Sequence, residues 1–258
     1  MKFDDLDAQL RVYETADDRC VPPGYFMVAR LDGRNFTRLT KEVWNLKAPF
    51  DERFRDNMLE TAGHLMDCGF AVTYGYTQSD EISLLLRADD NTFGRKTRKI
   101  LSVLAGEASA KFSLLMGSLA SFDARLSQLP SEALVIDYFR WRCADAHRNA
   151  LNAHCYWLLR NSGQTAQDAA QSLRGLSVAE KNELLFQRGI NFNDLPAWQK
   201  RGGAVYWENY QKPAMNPKTG KEVSAERRRL KQDLELPMGE RYDDLIRGLF
   251  RNEYKNDS

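Results

Sequence analysis

Residues 25–31, YFMVARL, and residues 70–87, FAVTYGYTQSDEISLLLR, decide the fold because both are rich in apolar and aromatic residues. The first is a nearly continuous apolar run, which is typical of a strand buried on both faces. The second predicts two strands, over residues 70–76 and 81–87, since the polar residues 77–80 between them have the length of a hairpin connection.

Two helices are predicted around this hairpin. Residues 51–68 place apolar side chains at spacings of three and four and stop before Gly69, and residues 94–116 carry a similar stripe. Another strand is predicted over residues 119–126. The order strand–helix–strand–strand–helix–strand is the split βαβ arrangement of ferredoxin-like domains. We therefore predict an α+β fold with an antiparallel sheet.

This topology predicts a pair of acidic groups. It places the first strand antiparallel to the third, so that Asp32 comes close to Asp80 and Glu81 although 48 residues separate Asp32 from Asp80. Adjacent carboxylates repel unless a cation lies between them, and Mg²⁺ takes one or two carboxylates plus water and phosphate. Taken singly, Asp80 would be a turn residue and Asp32 a helix cap. The predicted juxtaposition favours a magnesium site.

The surroundings of the acids also suit phosphate. Residues 33–37 follow a strand and open a helix, so that their backbone N–H groups are candidates to bind an anion, with Gly33 permitting close approach. Ser79 can donate its hydroxyl to a phosphate oxygen. The loop matches neither of the common glycine-rich phosphate patterns and is weak evidence alone. Candidate charge partners are Lys47, Lys96 and Lys99.

The second half is predicted to be mainly helical. Ser131 is a plausible N-cap, Ser177 to Glu180 read as a capping box, and a third helix could start near Asp194. A short strand is expected over residues 205–210 and a flexible loop over residues 213–220.

Composition excludes several classes of protein. The chain of 258 residues has 37 Lys and Arg against 36 Asp and Glu, and 43% of its residues are hydrophobic. Its four cysteines lie far apart with no C-x-x-C pair, so the sequence suggests neither a zinc cluster nor a disulfide framework. No apolar run is long enough for a membrane span and no secretory leader is evident, so a cytoplasmic location without membrane contact is expected.

Charge is uneven despite this balance. Residues 211–231 carry seven Lys and Arg against two Glu, and residues 95–99 are four-fifths basic. A basic run by itself is usually a solvated surface. Beside an acidic constellation, two such runs favour phosphate binding.

Several motifs together resemble the tRNA(His) guanylyltransferase family, over about residues 25–205. They are LDGRNFTRL (31–39), YGYTQSDEIS (74–83), FDARLSQLPS (122–131), DYFRWRCADAHRNALN (137–152), KNELLF (181–186) and GINFNDLPAWQKRG (189–202). The resemblance implies a polymerase-palm-like fold and an enzyme that adds nucleotides to the 5′ end of tRNA in the 3′-5′ direction. It also implies GTP and ATP as substrates, two Mg²⁺ ions and a homotetramer.

The resemblance also assigns roles to residues. Asp32, Asp80 and Glu81 match the catalytic acids, of which Asp32 and Asp80 bind metal together with the carbonyl of Gly33. Lys96 stands where the family has an arginine. The positions implied to bind nucleotide are Asp32, Gly33, Arg34, Asn35, Phe36, Thr37, Lys47, Ser79, Asp80, Lys96, Lys99 and His147.

One signature departs from the family's pattern. Residues 147–152 read HRNALN, so that Arg148 replaces the Ile of the family's His-Ile-Asn signature and Ala150 replaces the Asn that follows it. The change resembles the guanylyltransferase-like branch, which adds templated nucleotides to repair 5′-truncated tRNAs. The alternatives are an enzyme dedicated to adding one G to tRNA(His), a palm-type nucleotide cyclase, and a tRNA-binding protein without activity. A cyclase would need neither the helical half nor the basic runs.

We expect residues 1–130 to form the palm-like catalytic domain. Residues 131–258 are expected to be a helical, basic region for tRNA binding and oligomerisation, packed as one unit with the palm. Within it, Arg227, Arg228 and Arg229 are predicted to bind tRNA, unless they lie on a solvated helix or a subunit contact.

Aromatic residues of this region divide into two groups. Tyr206 and Tyr210 lie beside the basic run and could stack on RNA. The tryptophans are predicted to be core residues or subunit contacts, and they are Trp141, Trp157, Trp198 and Trp207.

Overall fold

The computed structural model describes residues 2–215 and 222–253, with the side chains of residues 214, 223 and 251–253 left out. Its helices and strands are α1 (Phe3–Glu14), β1 (Phe26–Gly33), α2 (Phe36–Arg38), α3 (Glu52–Leu65), β2 (Val72–Gln78), β3 (Glu81–Leu86), α4 (Thr97–Met116), β4 (Phe122–Leu129), α5 (Glu132–Asn161), α6 (Ala166–Leu173), α7 (Val178–Phe186), α8 (Ala197–Arg201), β5 (Gly203–Met215), β6 (Glu222–Asp233) and α9 (Glu240–Glu253).

The strands form one antiparallel sheet in the order β4-β1-β3-β2-β5-β6. The first four strands have the ferredoxin-like order, which confirms the predicted split βαβ arrangement. β1 lies between β4 and β3, and Asp32 is paired with Glu81 on one side and with Asp123 on the other. The topology therefore brings the first strand's last carboxylate to the start of the third strand.

Alternation along β1 decides which side chains reach the site. Met27, Ala29 and Leu31 pack into the core that α3 and α4 form on one face, whereas Val28 packs with α5 on the other. Because successive side chains of a strand point to opposite faces, Arg30 joins Val28 on the face toward α5. Asp32 follows it on the same face.

The two faces of the sheet have separate hydrophobic cores. α3 and α4 cover one face, with Leu59 and Leu104 fully buried there. α5 and α9 cover the other, where Phe139 and Ile246 are fully buried. Beyond the sheet, the C-terminal half of α5 packs with α6 and α7 around Cys155 and Leu185. This third core supports the part of α5 that extends past the acids.

The second half contains more strand than the sequence indicated. The expected strand over residues 205–210 is part of β5, and β6 was not predicted. Ala204 and Val205 are buried where β5 pairs with β2, but the ribbon beyond them is largely exposed and carries no apolar alternation. The predicted loop is partly wrong: residues 213–215 belong to β5, and residues 216–220 lie outside the described residues.

The helix starts in this half agree better with the prediction. The Ser131 side chain accepts from the Leu134 N–H, and Ser177 and Glu180 form the expected capping box. The third helix begins later than expected, at Ala197, after a 3₁₀ turn over Phe192–Asp194. No helix in the described part of the chain is both long enough and apolar enough to cross a membrane.

Candidate active site

The acids meet at a two-residue turn between β2 and β3. Ser79 adopts a left-handed backbone with φ 52°, and Asp80 follows it directly before the first residue of β3. The Gly33 N–H donates to the Asp80 carbonyl at 3.0 Å, which ties this turn to the end of β1. Asp32, Asp80 and Glu81 are thus brought together, as the sequence predicted from topology.

Gly33 is needed because an aromatic ring lies against it. A Cβ atom at Gly33 would lie 2.6 Å from the Phe36 ring, which is buried among Trp44, Phe112 and Phe122. The loop after β1 is therefore anchored by its own phenylalanine.

This anchoring alters the expected phosphate loop. The Phe36 side chain belongs to the core, with only its cavity side available to a ligand. The Arg34 N–H already donates to the Ser121 carbonyl at 2.8 Å, so it is not free to bind an anion. Asn35 turns the chain in a left-handed conformation, and Thr37 reaches the cavity described next.

Two cavities flank the turn. The larger, about 550 Å³, is lined by Lys47 among others and has aromatic walls that include Phe54 and Trp198. The smaller, about 240 Å³, lies on the α5 side and is lined by Arg142 and Asn149. Five residues line both cavities, and they are Pro49, Phe50, Gln78, Ser79 and Asp80. Asp80 therefore faces two spaces, each of which can hold a small molecule.

Arginines surround two of the three acids. Asp32 lies 3.9 Å from the Arg30 guanidinium and 3.7 Å from that of Arg125. Glu81 is bound by the buried Arg142, and it lies 3.8 Å from Arg30. These contacts hold both side chains in place on the sheet face toward α5.

Asp80 has a different environment. Burial raises the pKa of this carboxyl to about 6, its backbone hydrogen bond opposes that rise, and the negative charge of Asp32 adds to it. A cation between Asp32 and Asp80 would relieve both the burial penalty and the repulsion.

The donor set at this turn fits Mg²⁺. In the described residues, no group of three or more His, Cys, Asp or Glu side chains could hold a metal ion. Mg²⁺ does not need such a cage, because it binds through one or two carboxylates and completes its shell with water and substrate phosphate. Asp32, Asp80 and the backbone carbonyl of Gly33 are the donors available here.

Two predicted nucleotide contacts lie far from these acids. Lys96 precedes α4 and donates to Asp18 at 2.8 Å, while Lys99 lies in the first turn of α4 near Phe93. The neighbouring Arg95 donates to the Tyr25 carbonyl, next to the start of β1. Asp32 is at the other end of that strand, about 20 Å away by the rise of an extended chain. Within one chain, Lys96 and Lys99 do not reach the cavities.

His147 also lies apart from the acids. It lines a third cavity of about 320 Å³ with Asn182 and Asn191, and its ring centroid is 5.2 Å from that of Phe192. Burial lowers the pKa of this imidazole, and nearby Lys200 adds to the effect. The predicted role of His147 in binding nucleotide has no geometric support at the acid site.

Sequence reasoning missed Arg142. This side chain is 8% exposed on the face of α5 that packs on the sheet, and it binds both Glu81 and Asp145. A charged residue within the apolar stripe of α5, between Phe139 and Ala146, was the available signal, because a buried cation needs an anionic partner.

Comparison with known proteins identifies the family. One family model, described as tRNAHis guanylyltransferase, matches residues 7–131, and another, the Thg1 C terminal domain, matches residues 133–247. The tRNA(His) guanylyltransferase of Neurospora crassa is 33% identical over 217 residues, which cover 79% of this chain and 73% of that protein. A probable tRNA(His) guanylyltransferase of Drosophila melanogaster is 34% identical over 195 residues, covering 72% and 68%.

Solved structures show the same relationship. A bacterial tRNA(His) guanylyltransferase (Thg1)-like protein in complex with ATP has a TM-score of 0.73 and 28% identity, covering 95% of this chain and 99% of that chain. The tRNA(His) guanylyltransferase of Saccharomyces cerevisiae has a TM-score of 0.70 and 27% identity, covering 80% and 93%. This protein is therefore an enzyme of the nucleotidyltransferase class. It belongs to the tRNA(His) guanylyltransferase family.

Proposed function

We propose that this protein is a Mg²⁺-dependent nucleotidyltransferase that adds nucleotides to the 5′ end of tRNA in the 3′-5′ direction. We further propose that it copies the opposing strand and so repairs 5′-truncated tRNAs. The observation that carries the proposal is the turn at Asp80, whose carboxylate lines two cavities and lies close enough to Asp32 to feel its charge. Membership of the family supports nucleotide addition to tRNA, and two bacterial neighbours were solved with ATP and with GTP.

The proposed reaction has two steps. First, an oxygen of the tRNA 5′-monophosphate attacks the α-phosphorus of ATP; a P–O bond forms, and the bond to the departing pyrophosphate breaks. Second, the 3′-hydroxyl of the incoming nucleotide attacks the 5′ phosphorus of the RNA, AMP leaves, and the hydroxyl proton passes to water or to a carboxylate. The added nucleotide then forms the new 5′ end with its own triphosphate.

The residues of the site divide this work. Asp32 and Asp80, with the Gly33 carbonyl, would hold Mg²⁺, which when bound stabilises the charge that develops on attacking and leaving oxygens. Ser79 and Lys47 lie at the larger cavity and can bind a triphosphate there. Arg142 keeps Glu81 ion-paired, so that this acid stays on the sheet face next to Asp32.

Templated addition is favoured by the altered signature on α5. Ala150, which stands where the family has Asn, is fully buried against the helical core. Arg148 is exposed and pairs with Asp145, a residue of the smaller cavity. Both substitutions change the helix that forms one wall of the site.

The deciding experiment is 5′ extension of tRNAs shortened by one nucleotide, with the opposing base varied. We expect the added nucleotide to be the Watson–Crick partner of that base. Addition of G alone, only to tRNA(His) and whatever base lies opposite, would instead establish a dedicated guanylyltransferase. A cyclic product from labelled GTP without RNA would establish a cyclase. Binding of tRNA without any extension would indicate a tRNA-binding protein without activity.

A matched pair of substitutions tests the metal ligands in the same assay. Asp32→Ala and Asp80→Ala should each abolish transfer, because each removes one of the two carboxylates available to Mg²⁺. Asp123→Ala, on the neighbouring strand and exposed, is the control that should keep activity. Wild-type turnover of either site variant at saturating Mg²⁺ would contradict the metal assignment. The proposed homotetramer is checked by sedimentation of the intact protein.

A further inference from the structure

Beside Asp32, the β4 side chains on the sheet face toward α5, Asp123 and Arg125, are exposed. β1 and β4 present Arg30 and Arg125 there, at directly opposite positions of the ladder. Like charges opposite each other destabilise a ladder. Here Asp32 lies within 4 Å of both guanidinium groups, and the Arg125 side chain is 55% exposed. The cations are thus concentrated at the acid, and one of them is accessible from solvent.

Trp141 stands on α5 at the side of this open face. Tyr138 shares a hydrogen bond of 3.2 Å with Ser83 of β3, and Phe139 packs against Tyr74 of β2. Each residue advances about 100° around a helix, so Trp141 lies about 60° from Tyr138, on the side away from Phe139. Trp141 is also about 160° from the buried Phe139, so it lies on the exposed flank of α5 that is nearer to β1 and β4 than to β2.

The indole ring is held in place but is not covered. The edge of the ring system meets Tyr138 at a centroid distance of 5.9 Å, and the guanidinium carbon of Arg142 lies 4.8 Å from the indole centroid. Arg142 is itself fixed by Glu81 and Asp145. Trp141 is nonetheless 56% exposed, so of its two predicted roles, core residue or subunit contact, the first is wrong. The Arg142 guanidinium thus lies against the indole ring, and much of the remaining surface of the ring is exposed to solvent.

This surface differs from the places where a free nucleotide can bind. Trp141 and Arg125 line neither of the two cavities at the Asp80 turn. An exposed aromatic ring combined with accessible cations is how proteins hold unpaired nucleic-acid ends. The acid pair next to it is where the end of such a strand would have to react.

We propose that Trp141 stacks on the 5′-terminal base of the acceptor RNA while Arg125 contacts a phosphate beside it. The proposal rests on the proposed function, since it assigns a place to the acceptor of that same site. Trp141 is in this view a positioning residue that holds the RNA end in front of Asp32.

The test uses a 5′-truncated tRNA with 2-aminopurine as its terminal base, without nucleoside triphosphate. Stacking on Trp141 should quench the fluorescence of the bound RNA. In Trp141→Ala the quenching should be lost and the tRNA dissociation constant should rise about tenfold. Trp141→Phe should keep most of both, and GTP affinity should change less than twofold. Phe186→Ala, an exposed aromatic on α7, is the matched control and should behave as wild type.

The possible results distinguish a failure of the Trp141 stacking role from a failure of the proposed function. A wild-type protein that does not bind tRNA would overturn the proposed function and the stacking role with it. Binding with equal quenching in wild type and Trp141→Ala would overturn the stacking role alone. A change in sedimentation of Trp141→Ala, with quenching retained, would show that this tryptophan is a subunit contact. Circular dichroism confirms that each variant is folded.

Discussion

At the scale of single residues, Asp80 combines a functional position with a cost to stability. Its folded-state pKa of about 6 lies above the ordinary value of 3.8. Below pH 4 the carboxyl is protonated in the folded and the unfolded protein alike, so its burial carries no charge penalty. As the pH rises from 4 through 6, the unfolded state loses this proton more readily than the folded state, and the free energy of unfolding falls. Ionisation of Asp80 therefore lowers the free energy of unfolding when no cation is bound.

Asp80→Asn should therefore stabilise the protein at neutral pH. In EDTA at pH 7.5, we expect the free energy of unfolding to rise by up to about 2 kcal/mol, and the gain to vanish near pH 4. Urea denaturation at pH 4, 5.5 and 7.5 measures it, with Asp123→Asn as an exposed control that should show little change. An Asn variant less stable than wild type at pH 7.5 would contradict the burial of this charge.

Gly33 makes an equally local prediction. Gly33→Ala places a methyl group 2.6 Å from the Phe36 ring, so that the ring or the end of β1 must shift. We expect a loss of about 1–3 kcal/mol in the free energy of unfolding, as is usual for overpacking. Thermal denaturation measures it, and Gly63→Ala, where nothing lies within 4 Å of the added carbon, is the control. Equal melting temperatures would contradict the close approach.

At the scale of elements, the β5–β6 ribbon divides the three arginines predicted to bind tRNA. Arg229 pairs with Glu208 at 2.8 Å, and its guanidinium lies near the Tyr210 ring. Arg228 points to the opposite face and lies 4.3 Å from the centroid of Trp207. Arg227 alternates with Arg228 and so shares the face of Arg229. The alternative of a solvated helix is wrong, because this segment is a strand.

We expect Arg227 and Arg229 to contact RNA, because they share the sheet face of Tyr206, which is the face toward α5. Arg227→Gln with Arg229→Gln should weaken tRNA binding, and the log–log salt slope should flatten by about 0.9 for each lost contact on a duplex. Arg228→Gln is the matched control on the other face. GTP affinity should not change, because both arginines lie far from the larger cavity. Arg227 pairs with Tyr210, which is seven residues along β5, or about 20 Å, from Gly203 at that cavity. Equal salt slopes in the double variant and the control would contradict the assignment.

At the scale of the whole molecule, the two halves of the chain share one sheet and the hydrophobic core on its α5 face. Val28 and Leu85 from the first half pack with Val135 and Phe139 of α5, and Tyr74 shares a hydrogen bond with Tyr242 of α9 at 3.2 Å. Residues 1–130 alone would leave this face in water. The proposed catalytic domain therefore depends on the region that follows it.

A protein comprising residues 1–130 should not fold cooperatively. The exposed apolar face is the physical reason, since its burial supplies much of the stability of the sheet. Thermal denaturation followed by circular dichroism should show no sharp transition, and a hydrophobic dye should bind far more strongly than to the full chain. A cooperative melt near that of the full chain would show that the first half is independent.

The parts that the sequence predicted well are those whose side chains alternate or repeat clearly. β1, β2 and β3 are buried on both faces and read as apolar runs, and their topology alone placed Asp32 against Glu81. The β5–β6 ribbon was not fully predicted, because its outer part is polar on both faces and shows no apolar alternation. The cavities depend on long-range packing that no local pattern expresses. Lys96 was chosen for its positive charge and for the family resemblance, and neither carries distance information within one chain.

The position of β6 at the margin of the sheet has a consequence for solubility. In the described part of the chain β6 pairs with β5 alone, so that its other side offers open backbone groups to any extended peptide. Exposed edge strands favour β-sheet pairing between molecules, and closely spaced positive charges oppose it. Arg227, Arg228 and Arg229 lie on this edge strand, so their charges should oppose β-sheet pairing between two molecules. Replacing them with apolar residues should produce light scattering on concentration, long before it alters the melting temperature.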